Sequence, residues 1–76
     1  MEREIDSCFK EACATLQIPA RLFAVFEGPA AAIVIHFWRE DQMFETVVAP
    51  EFRYAGPEKR SDLVLRSLRN ARELRN

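Results

Sequence analysis

His36 and Glu45 are the residues of this chain best suited to move a proton. A hairpin turning tightly at Glu40-Asp41 sets them directly opposite each other on neighbouring strands, whether its loop has two residues or four. Catalysis needs a partner for that pair, and the residue types do not supply one. Ser7, Ser61 and Ser67 fall in segments of helical period, and no glycine-rich phosphate loop is present among only two glycines. A single histidine opposite a glutamate on a sheet is expected to be a structural pair. The chain is therefore expected not to be an enzyme and to carry no catalytic residue and no cofactor.

Cys8 and Cys13 could in principle form a disulfide, bind a metal or act as nucleophiles. Five positions apart on a helix, they point about 140° apart around the axis and lie about 7.5 Å apart along it, which argues against a bond between them. Two cysteines and one histidine are too few ligands for a zinc site, so no metal is expected. A reactive thiol would want a cation or a helix N-terminus beside it, and only Lys10 is near Cys8 in sequence. Both read as reduced thiols packed as small hydrophobes.

Charge is distributed unevenly. Residues 1–52 hold nine acids and four bases, whereas residues 53–76 hold three acids and seven bases, within a net charge of −1. That balance excludes a protein held on nucleic acid by bulk charge. The basic tail can still contact phosphates through Arg53, Lys59, Arg60, Arg66, Arg69, Arg72 and Arg75, with Phe52 and Tyr54 nearby to stack on bases. Nucleic-acid binding, RNA in particular, is the alternative function.

The elements that must position these groups follow from hydrophobic period. Ile5, Cys8, Phe9, Ala12, Cys13 and Leu16 recur at helical spacing and predict a helix over 2–17, with Glu2, Glu4 and Asp6 at its N-terminal end and Pro19 beyond its C-terminal end. From Ala20 to Ala49 β-branched and aromatic residues take over, predicting antiparallel strands near 20–27, 31–39 and 43–49 broken at Gly28-Pro29 and Glu40-Asp41-Gln42. Val64, Leu65, Leu68, Ala71 and Leu74 then predict a second helix over 57–74, with Pro57 in its first turn. The expected core holds Ile5, Phe9, Ala12, Leu16, Ile33, Ile35, Phe37, Val48, Val64 and Leu68.

The expected fold is thus α+β, in the order α-β-β-β-α, a three-stranded antiparallel sheet with two helices on one face and one domain spanning 1–76. A chain 49% hydrophobic and 30% charged is expected to fold. With no apolar run long enough to span a membrane and an acidic N-terminal segment, it is expected to be cytoplasmic.

This order is similar to that of the double-stranded-RNA-binding domain. The stretch VVAPEFRYAGPEKRSDLVLRSL resembles the strand-to-helix passage of BolA-like proteins through Val47, Val48, Phe52, Arg60, Leu63, Val64 and Leu68. The family signatures themselves are missing, so no membership and no site residue is carried over.

The sheet faces carry the functional expectation. Turning at Glu40-Asp41 places Ile33, Ile35, Phe37, Phe44, Thr46 and Val48 on the helix-packed face, and Val34, His36, Trp38, Met43, Glu45 and Val47 on the other. Closing the first hairpin symmetrically about Gly28-Pro29 adds Leu22, Ala24 and Phe26 to the helix side, and Arg21, Phe23 and Val25 to the far side. A solvated sheet face normally alternates to polar residues. This one instead sets Phe23, Val25, Val34, Trp38, Met43 and Val47 around Arg21, His36 and Glu45, as expected of an interface with a second copy or another protein. The interface residues expected are Phe23, Val34, His36, Trp38, Met43, Glu45 and Val47.

Overall fold

The structure, a computed structural model, describes residues 2–74. The first helix, α1 (Glu2–Leu16), buries Ile5, Phe9, Ala12 and Cys13, the stripe its period implies. It stops before the proline acts. Gln17 turns left-handed at φ 57, its N–H reaches the Ala14 carbonyl at 3.2 Å, and the Ile18 N–H reaches the Cys13 carbonyl at 2.9 Å. Two of the carbonyls orphaned at a helix end are thereby satisfied.

Three strands follow: β1 (Ala20–Glu27), β2 (Ile33–Arg39) and β3 (Gln42–Val48). The β2–β3 hairpin has the expected register, with His36 opposite Glu45 and Trp38 opposite Met43. Its two-residue turn places Glu40 at φ 58, matching the preference of tight hairpins for a left-handed residue.

The first hairpin differs from expectation. Residues 28–32 form its connection, with a 3-10 turn at Pro29–Ala31 and both Ala30 and Ala31 at positive φ. Glu27 therefore pairs with Ile33 and Val25 with Ile35, until a bulge between Leu22 and Ala24 shifts the register so that Leu22 meets Phe37. Arg21 and Leu22 keep their expected faces because the bulge restores the alternation. Ala24 and Phe26 move to the far face, and Val25 moves to the core side, where it is packed against the buried cluster.

After a 3-10 turn at Pro50–Tyr54, α2 (Pro57–Arg69) buries Leu63, Val64, Ser67 and Leu68. It is shorter than the predicted 57–74. The chain leaves the helix at Asn70, and Arg72–Glu73 form a fourth strand, β4, antiparallel to β3. The expected three-stranded sheet is corrected to a four-stranded antiparallel sheet in the order β1-β2-β3-β4, so the described residues run α-β-β-β-α-β. Period alone favoured continuing the helix, since Ala71 and Leu74 extend its apolar stripe. The unpaired edge of β3 offers the backbone another set of partners: Glu73 pairs with Phe44, and the Leu74 N–H reaches the Met43 carbonyl at 2.8 Å. Farther along β3, α2 covers the edge. The Thr46 hydroxyl donates to the Ser67 carbonyl, and the Ser67 hydroxyl lies 2.8 Å from the Leu63 carbonyl and 3.0 Å from that of Val47.

One buried cluster joins Ile5, Phe9, Ala12 and Cys13 of α1, Leu63, Val64 and Leu68 of α2, and Ile33, Ile35, Phe37 and Val48 of the sheet. Phe52, from the loop after β3, completes it and is fully buried. Leu16, expected in this core, is half-buried at its margin. The alternate positions of β2 and β3 that point away from this cluster form the outer face.

Candidate interaction face

Register organises the outer face into rows. Ala24, His36, Glu45 and Arg72 lie opposite one another across all four strands, forming a polar row with a methyl at one end and a guanidinium at the other. Phe26, Val34 and Val47 form an apolar row to one side. Trp38 and Met43 form another, and Phe23 reaches it from the bulge, with its ring edge-on to Trp38 at 6.2 Å between centroids.

Glu45 is the electrostatic centre. His36 Nε2 lies 2.9 Å from Glu45 Oε2, while the Arg72 guanidinium contacts Oε1 at 2.9 Å through Nη2 and 3.2 Å through Nε. The histidine hydrogen bond, followed by that from arginine, holds the Glu45 carboxyl below the usual carboxylate range. An ionised carboxylate only accepts hydrogen bonds, so His36 Nε2 carries the proton between them. The Phe26 ring stands edge-on to the imidazole at 4.6 Å. The short contacts of Glu45 tie β2 and β4 to β3.

Of the expected interface residues, Val34, His36, Trp38, Met43 and Glu45 are half-buried, whereas Phe23 is 62% and Val47 52% exposed. Phe26, 44% exposed, lies on the same face and not on the helix side expected of it, because nothing in the sequence marks the bulge. Arg72 was also missed as a member of this face, since it lies in the part of the chain read as helix. It takes the third polar position expected for Arg21, which instead lies opposite Trp38. Neither the loop at 50–56 nor α2 folds beneath the sheet: Phe52 and the apolar residues of α2 are in the buried cluster on the other side.

The basic residues considered for phosphate contact are mostly occupied by the chain itself. Arg53 Nε donates to the Ala31 carbonyl at 3.3 Å; Arg60 donates to the carbonyls of Phe52 and Arg53 and lies 4.9 Å over the Phe52 ring. Arg66 pairs with Asp62 at 3.0 Å, Lys59 approaches Glu51 at 4.0 Å, and Arg72 holds Glu45. Arg69 is exposed in the last turn of α2, Tyr54 is 88% exposed, and Arg75 lies outside the described residues. Both thiols are free, and burial pushes each of them up, away from the thiolate a nucleophile requires. Among the described residues no cluster of three or more His, Cys, Asp or Glu could hold a metal ion, and no helix is long and apolar enough to cross a membrane.

Compared with known proteins, the chain matches no family model, no curated protein and no solved structure.

Proposed function

We propose that this protein is a non-catalytic interaction module of the cytoplasm that pairs with a second copy of itself through the outer face of its sheet, its two helices covering the other face. The observation that carries the reading is the exposure of Phe23, Phe26 and Val47 beside half-buried Val34, Trp38 and Met43 on a single face. Such a contiguous apolar surface on a small domain is characteristic of an interface. Free cysteines accord with a reducing compartment.

The size of the face sets the expected strength. Three strands of seven or eight residues and a fourth of two span roughly 400 Å² in projection at about 3.3 Å per residue and about 4.8 Å per strand. The smallest stable interfaces draw about 500 Å² from each partner, and side-chain relief brings this face into that range. The dimer should therefore dissociate at micromolar concentration. Trp38 sits between its strand neighbours and Phe23 and is the expected anchor.

Sedimentation equilibrium is the test. The wild type should show a monomer–dimer equilibrium that Trp38→Glu abolishes without loss of secondary structure. A wild type that stays monomeric at hundreds of micromolar, with Trp38 fluorescing as a buried indole, overturns the reading.

A further inference from the structure

The proposed dimer can be built with its two-fold axis along the strands or across them, and the outer face discriminates between the two. An axis across the strands lays the polar row on itself in the same order, so that Arg72 meets Arg72, Glu45 meets Glu45 and Ala24 faces Ala24. Like charges then oppose like charges, and the two methyls leave a gap at the far end of the row. An axis along the strands reverses the row. Arg72 of one copy then lies over Ala24 of the other, a long side chain over a short one, and His36 lies over Glu45. The apolar rows add to this: reversal stacks Val34 on Val47 and Trp38 on Met43.

We infer that two copies pack face to face about an axis parallel to the strands, so that their polar rows run antiparallel and each Arg72 covers the other copy's Ala24. This arrangement rests on the dimer proposed above. It makes one patch complementary to itself in size and in charge, as a two-fold interface requires. Each carboxylate of the row then lies near the other copy's imidazole as well as its own.

The two axes differ in which positions meet. Val47 lies two residues from the polar row along its strand. With the axis along the strands, Val47 of one copy directly faces Val34 of the other; with the axis across, Val34 lies roughly 13 Å from it along the strands, beyond disulfide reach. Val47 and Met43 of opposite copies show the reverse.

Val47→Cys alters an exposed position, and the native thiols belong to α1, away from this face. Under mild oxidation a mixture of Val47→Cys with tagged Val34→Cys should become a covalent mixed dimer, while wild type does not couple. A mixture of Val47→Cys with tagged Met43→Cys should give little of the mixed species. A dimer in which Val47→Cys fails to couple with Val34→Cys, or in which the 43–47 species predominates, overturns the arrangement and leaves the dimer standing. A wild type that sediments as a monomer overturns both.

Discussion

Glu45 sits with a donor on either side, His36 from β2 and Arg72 from β4, and its ionised form is what both of them bind. Its carboxyl is lowered from the ordinary value, so the sign of the pH effect follows. The stability it contributes is complete above the carboxylate range of the unfolded chain and is lost as pH falls through the lower folded value. Urea melts between about pH 7 and about pH 3 should show this loss in the wild type and a flatter profile in Glu45→Gln. At neutral pH the substitution should cost about 1 kcal/mol or less, because the group is partly solvated and the Arg72 contact is exposed. A pH profile parallel to that of wild type would show that the row contributes no charge-dependent stability.

The turns between elements are where backbone conformation and residue type disagree. Gln17 caps α1 in the left-handed region, a conformation that costs a side-chain-bearing residue roughly 1 kcal/mol and glycine almost nothing. Gln17→Gly should therefore raise stability by about 0.5 kcal/mol after the added freedom of the unfolded chain is subtracted, measurable as a higher urea midpoint. Gly28 presents the opposite case. Its backbone is extended, but an added Cβ would lie 2.7 Å from Val34 Cγ2, so the requirement is space. Gly28→Ala should destabilise by about 1–3 kcal/mol by forcing Val34 or the connection to move. Unchanged stability would mean that the residue 28–32 connection yields easily.

At the scale of the molecule, the charge on α2 and the apolar outer face support different functions. Salt-dependent binding to phosphates draws on net positive charge, and Asp62, Glu51 and Glu45 lie against Arg66, Lys59 and Arg72 and offset theirs. A mobility shift with mixed single- and double-stranded oligonucleotides at low salt should accordingly show no retardation at micromolar protein. Retardation that fell about ten-fold or more between 50 and 200 mM salt, and that vanished in an Arg66→Ala, Arg69→Ala variant, would move the function from the sheet to the basic segment. The core itself is small, one cluster closed by Phe52 from a loop. Covering Phe23, Phe26 and Val47 would add several kcal/mol, at roughly 25 cal/mol per Å² of apolar surface removed from water, before the costs of association.

Local pattern by itself determined α1, the register of β2 with β3 and, with that register, the opposition of His36 and Glu45. Each depends on neighbours close in sequence: a 3.6-residue stripe in one case, a two-residue turn that ties face to position in the other. Tertiary structure decided the side on which Phe26 and Val25 lie, because the bulge near Phe23 reconciles the 28–32 connection with a β2 already set by its other neighbour. It also decided the fate of residues 70–74. Their apolar spacing suits a helix, but the open edge of β3 supplied hydrogen-bond partners from about 27 residues away, and Arg72 thereby came to rest on Glu45. A contact of that separation has no signature in local period, since its stabilisation comes from a strand edge that exists only once the sheet has formed.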